Sequence, residues 1–119
     1  MSGIGAEEIS AVSAHGTGTV YNDSMEITAF QEVFGKRKPP VFSVKGAIGH
    51  ILGAAGGIEV ALGLKALAEQ TAPPTVGLST PMEGAEGMVS GSQVQFSGNR
   101  LLTTNSGFGG VNAALILER

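Results

Sequence analysis

The stretch Ile9-Ser10-Ala11-Val12-Ser13-Ala14-His15-Gly16-Thr17-Gly18-Thr19 decides the fold class. Ile9 to Ala14 is a short, mostly apolar run bounded by turn signals, which reads as a buried strand. It empties into His15 and a glycine-threonine loop. Asp23 or Ser24 then caps a helix with apolar positions at Met25, Ile27, Phe30, Val33 and Phe34. Gly35 stops that helix. A strand, a glycine loop and a helix in this order make one unit of an α/β layer.

The pattern repeats further on. Lys36 to Pro40 is a basic, proline-ended loop, and Val41 to Val44 is a second strand. Lys45 to His50 is a glycine-broken loop. Ile51 to Glu69 reads as a long helix, apolar at Leu52, Ala55, Ile58, Ala61, Leu62 and Leu64. Small residues at Ala54 to Gly57 leave room for a neighbouring element. Pro73-Pro74 closes that helical region. Thr75 to Ser92 is irregular. Short strands follow at Val94 to Phe96 and Leu101 to Thr104, then a glycine loop at Asn105 to Gly110 and a last strand at Asn112 to Leu117. The order predicts a layered α/β domain over residues 1–119 with a mixed sheet.

Composition narrows the chemistry. The 119 residues are 42% hydrophobic, enough for a core. A net charge of -3 argues against a nucleic-acid partner. There is no cysteine, so there are no disulfides, thiolate metal sites or thiol nucleophile. Two histidines cannot build a three-histidine metal centre, and no metal is expected. No apolar run is long enough for a membrane span. Met1 to Ile9 carries no leader pattern, so the expected address is the cytoplasm. Nineteen glycines beside apolar residues point to tight turns and close packing.

Three glycine loops follow strands, and two of them hold the histidines. Ligands of open α/β sheets sit at strand ends. Neither phosphate-loop pattern is present. What is present is His15-Gly16-Thr17-Gly18-Thr19, then Glu26, then Val44-Lys45-Gly46-Ala47-Ile48-Gly49-His50, then Leu52-Gly53-Ala54-Ala55-Gly56, and finally Asn105-Ser106-Gly107-Phe108-Gly109-Gly110-Val111-Asn112.

This set resembles the β-ketoacyl synthases of fatty acid and polyketide assembly, members of the thiolase-like fold. The resemblance runs from about Ile9 to Leu117 and covers the C-terminal third or so of such an enzyme. It implies the C-terminal half of a thiolase-like fold, incomplete as it stands. It also implies a decarboxylative Claisen condensation between an acyl thioester and a malonyl thioester. Both substrates ride on the phosphopantetheine of an acyl carrier protein, and no further cofactor is expected. The partners implied are that carrier protein, the absent N-terminal half with its nucleophilic cysteine, and a second copy in a homodimer.

By the same resemblance, His15 and His50 are the active-site histidines. Their expected work is to donate hydrogen bonds to the malonyl carbonyl as the enolate forms. Lys45 matches the active-site lysine, with Glu26 as its expected ion-pair partner. Thr17 and Thr19 match hydroxyls that contact the pantetheine arm. Aligned without gaps, Phe108 matches the second phenylalanine of the usual Asn-Ser-Phe-Gly-Phe-Gly-Gly loop. Ser106 falls on the first, which often gates the acyl pocket, so a looser acyl entrance is expected.

Plain structural readings stand beside these: His50 as a helix cap, Lys45 and Glu26 as a buried ion pair, Thr17 and Thr19 as loop braces. Asn105 and Asn112 read as structural turn and strand-start residues. The run Lys36-Arg37-Lys38 is either a solvated face or a contact for an acidic carrier protein. Lacking a cysteine, the chain alone should form no acyl-enzyme. A non-catalytic or split-subunit partner resembling a chain-length factor is the alternative, and decarboxylation without condensation is a third.

Overall fold

The computed structural model describes residues 2–119. Its strands are β1 (Ala11–Ser13), β2 (Val41–Phe42), β3 (Thr71–Ala72), β4 (Val94–Gln95), β5 (Arg100–Gly107) and β6 (Val111–Glu118). The helices are α1 (Val20–Phe34), α2 (Lys45–Ile48) and α3 (Ala55–Glu69), with 3-10 turns at Ala6–Glu8 and Leu52–Ala54. The main sheet runs β2-β1-β5-β6, and β3 pairs with β4 apart from it. β1 is parallel to β2 (Val12 opposite Val41) and to β5 (Ala11 opposite Leu101). β6 returns antiparallel to β5, from Gly107 opposite Val111 to Arg100 opposite Glu118. The sheet is therefore mixed, as the element order predicts.

Side chains alternate across a strand, so neighbours on β1 face opposite layers. Val12 and Ala14 pack with Ile27, Phe30 and Phe34 of α1. Ala11 packs with Ala66 and Leu67 of α3. One helix thus covers each face. α3 presses closest at Gly63, where an added Cβ would stand 2.8 Å from Leu117. The intimate approach to the apolar sheet is here rather than along Ala54 to Gly57.

Several element boundaries differ from the sequence expectation. α1 begins at Val20, with Thr19 at its N-cap, so Asp23 and Ser24 lie inside its first turns. Part of the expected loop after Val44 is the helical turn α2. The long helix begins at Ala55 and is preceded by a 3-10 turn. β5 continues to Gly107, well into the expected glycine loop.

The basic run is built into the fold. Arg37 donates to the carbonyls of Ala6 (2.6 Å) and Ile9 (3.0 Å), and Lys38 donates to that of Glu86 (2.6 Å). Arg37 fastens the N-terminal segment to the end of α1. Arg37→Ala should lower stability by about 1–2 kcal/mol, read as a fall in urea midpoint. An unchanged midpoint would return this run to the solvated-face reading.

Candidate active site

The site assembles at the ends of β1 and β5 and at the starts of α1 and α3. His15 lies two residues past the end of β1 and is buried. Gly16 takes a φ of +43°, and an added Cβ would lie 2.5 Å from Ser43. Conformation and space both require glycine there. Ser43 donates to the Gly16 carbonyl at 2.8 Å, tying the loop to the end of β2. A Cβ at Gly46 would meet the carbonyl of Val76 at 2.1 Å, so the turn bearing Lys45 is also held against backbone.

Glu26 does not pair with Lys45. Its carboxylate accepts from the backbone N–H of His15 (2.9 Å) and of Gly16 (2.7 Å). Thr104 Oγ1 (2.9 Å) and Asn22 Nδ2 (3.0 Å) also donate to it. Burying a carboxylate is costly unless its lone pairs are filled, and here four donors fill them. Position decides the partner. Glu26 sits two turns into α1, directly against the backbone that leaves β1.

Lys45 pairs instead with Glu59 of α3, through a short contact between two buried side chains. The same ammonium donates to the His15 carbonyl at 2.6 Å and lies 3.4 Å from His15 Nδ1. The other oxygen of Glu59 accepts from Asn105 Nδ2, and Asn105 Oδ1 lies 3.1 Å from His15 Nδ1. Glu59 and Asn105 are thus members of the cluster that sequence reasoning missed. Glu59 carries no signal of its own in the sequence. It lies on the buried stripe Ala55-Glu59-Gly63-Ala66-Leu67 of α3, and a lone carboxylate on the buried face of a helix needs a cation.

His50 is exposed and follows α2. Its Nδ1 accepts from the Leu52 N–H at 3.2 Å. In the neutral ring the proton must then sit on Nε2, which is free to donate. His50 does not cap α3, whose N-cap is Ala54; it braces the turn before that helix through one nitrogen. The two imidazoles meet edge to face, with centroids 5.4 Å apart and planes at 84°.

A cavity of about 430 Å³ opens beside this cluster. Thr17, Glu26, Lys45 and His50 are among its polar lining residues, and Ile27 and Phe30 among its apolar ones. His15, Thr19, Ser106 and Phe108 lie outside its wall. Thr19 faces Thr17, hydroxyl to hydroxyl at 2.9 Å. Ser106 is half-buried near the end of β5, and Phe108 stands fully exposed in the hairpin loop. Among the described residues no cluster of His, Asp and Glu could hold a metal ion, and no helix is long and apolar enough to cross a membrane.

Residues 1–79 match the family described as beta-ketoacyl synthase, C-terminal domain. The chain is 37% identical to 3-oxoacyl-[acyl-carrier-protein] synthase 2 of Coxiella burnetii, over 98% of its own length and 29% of that protein's. It is 36% identical to the actinorhodin polyketide putative beta-ketoacyl synthase 1 of Streptomyces coelicolor, over 95% and 25%. Among solved structures, the ishigamide ketosynthase/chain length factor matches with a TM-score of 0.90 and 33% identity, over 98% of this chain and 29% of that one. A type II polyketide ketosynthase solved with its acyl-carrier protein and bound to the hexaketide matches at a TM-score of 0.89 and 27% identity, over 97% and 29%. The chain spans less than a third of the length of these relatives. The chain belongs to the β-ketoacyl synthase family and has the fold of its C-terminal domain.

Proposed function

We propose that the chain supplies the decarboxylating side of a ketosynthase that condenses an acyl thioester with a malonyl thioester in the cytoplasm. One observation carries the reading. His15 and His50 meet at 5.4 Å beside a buried Lys45–Glu59 pair and an open cavity. A merely structural domain has no use for two imidazoles so placed.

In this reading the malonyl group, delivered on a phosphopantetheine arm, enters near His50. Thr17 offers a hydroxyl to the arm, and Thr19 braces Thr17. The bond to the carboxylate breaks, CO2 leaves, and the electron pair becomes an enolate. His50 Nε2–H donates to the enolate oxygen, which is electrostatic stabilisation where charge develops. The enolate carbon then attacks the acyl group held on a cysteine thiolate of the complementary half, and that thiolate departs. Neither Ser106 nor Phe108 borders the cavity, so a part for them in the acyl entrance must come through the complementary half.

The alternative is a non-condensing partner of the chain-length-factor kind. The intact constellation of His15, His50, Lys45 and Glu59 favours the catalytic reading. β6 is an edge strand with Val111 and Leu115 exposed, a surface suited to a cover supplied by the other half. The chain alone, mixed with an acyl-carrier thioester, should show no acyl adduct by mass spectrometry. Paired with a cysteine-bearing N-terminal half, the adduct should appear on that half and condensation should follow. An acyl adduct on the isolated chain, or no condensation by the pair, would overturn the proposal.

A further inference from the structure

We infer that Leu52 couples two events: its side chain anchors the complementary half, and its backbone positions His50. The identity of that partner rests on the ketosynthase reading above.

Leu52 has a φ of +52°, and among the described residues Gln70 (φ +53°) is the one other non-glycine with a positive value. The left-handed region crowds Cβ against the following carbonyl oxygen, so a bulky side chain there is an outlier. Such strain lasts where the surroundings over-determine it. At Gln70 they do. Its side chain accepts from the Gly98 N–H (2.9 Å) and donates to the carbonyls of Gly98 (2.8 Å) and Leu67 (2.7 Å). The Leu52 side chain is 78% exposed and offers no such hold. Glycine would enter that region without steric cost, and glycines stand close by at Gly49 and Gly53. A leucine at this position therefore has a use outside the chain.

Its place in the fold says what that use is. The Leu52 N–H donates to His50 Nδ1 at 3.2 Å, and the Leu52 carbonyl accepts from the Ala55 N–H at the start of α3. The strained residue thus links the imidazole to the helix. Two positions before His50, Ile48 is 41% exposed, so uncovered aliphatic side chains flank the histidine on both sides in sequence. Condensation brings the acyl carbon within about 3–3.5 Å of the enolate carbon, which His50 holds. A half that carries the acyl-cysteine must seat against this rim, and Leu52 is the exposed side chain it meets there. The relatives extend far beyond the matched part, which makes up 29% of their length.

Covering Leu52 stabilises the left-handed turn, because packing of the side chain offsets the backbone cost. Assembly then sets the turn that holds His50, and the isolated chain fills it less completely.

Leu52→Ala and Leu52→Gly separate side chain from backbone. Both remove the anchor; alanine keeps the left-handed cost and glycine removes it. Titration of the cysteine-bearing N-terminal half into each chain, read by calorimetry, should show binding weaker by about 10–100-fold, the range that corresponds to burying one leucine side chain. At saturating partner, malonyl decarboxylation by the Leu52→Ala pair should fall by about 5–30-fold, the population lost to the left-handed cost. Leu52→Gly should run several-fold faster than Leu52→Ala, whereas a residue that only packed would lose at least as much with glycine. Hydrogen exchange of the residue-52 amide should slow on pairing in the wild type and not in Leu52→Ala.

Wild-type affinity in Leu52→Ala overturns the anchor. Equal turnover of the alanine and glycine variants, or a residue-52 amide whose exchange pairing leaves unchanged in the wild type, overturns the positioning. A wild-type pair that assembles through Leu52 and slows that amide but fails to condense sinks the ketosynthase reading and leaves the coupling intact.

Discussion

Glu59→Ala is expected to lower stability by about 3–5 kcal/mol, the cost of removing one partner from a buried ion pair. Domains of this size are stable by about 5–15 kcal/mol in all, so the variant should be largely unfolded at warm temperatures. The magnitude follows from what Glu59 holds. It is 1% exposed, and it takes both the Lys45 ammonium and the Asn105 amide. Without it, Lys45 retains the His15 carbonyl as acceptor but loses its counter-charge. Urea denaturation followed by circular dichroism measures the loss, and a change below about 1 kcal/mol would show that the pair is not the keystone described. A paired substitution, Lys45→Met with Glu59→Leu, separates charge from packing. Replacing a buried ion pair with apolar residues of similar volume is often neutral, so the double variant should fold far better than Glu59→Ala. It should still fail in the paired enzyme, because the ammonium held against His15 is gone.

His50→Ala should do the opposite: leave the fold alone and remove the chemistry. His50 is exposed, and the hydrogen bond it accepts from Leu52 is exposed as well. Surface changes of this kind stay within about 0.5 kcal/mol. In the paired enzyme, however, malonyl decarboxylation should fall by about 10²–10³-fold, the usual effect of losing one donor to a developing oxyanion. Release of CO2 from a labelled malonyl-carrier thioester measures it. A rate within a few-fold of the parent, with the fold intact, would mean that the donor lies elsewhere.

The sequence made the layer order legible because local pattern carries it. Strands ending in glycine loops and helices bounded by glycine and proline are local events. It also brought His15, Lys45 and His50 to one site through a spacing that few sequences share. The partner of Lys45 was not legible by the same route. Glu26 lies nearer in sequence to His15, and a carboxylate and an ammonium invite pairing. What decides the matter is which face α3 turns to the sheet. Hydrophobicity pointed to Leu52, Ala55, Ile58, Ala61, Leu62 and Leu64; Ala55 is buried and Leu62 packs on the core, but Leu52, Ile58 and Leu64 are exposed. The buried stripe runs through Ala55, Glu59 and Gly63, and neither a carboxylate nor a glycine signals burial. Asn105 escaped for another reason. Glycine-rich sequence reads as loop, yet β5 continues through it because β6 pairs along its whole length. Pairing with a distant strand overrode the local preference.

The same pairing has a temporal side. β1 lies between a strand that follows it closely and β5, with Ala11 set against Leu101. His15 meets Asn105 across 90 positions of chain. Contacts so remote in sequence form late, after costly loop closure. A chain that has reached only residue 99 already holds His15, Glu26, Lys45, His50 and Glu59 but not Thr104 and Asn105, which tie two of the carboxylates to the end of β5. The cluster closes only when β5 pairs beside β1.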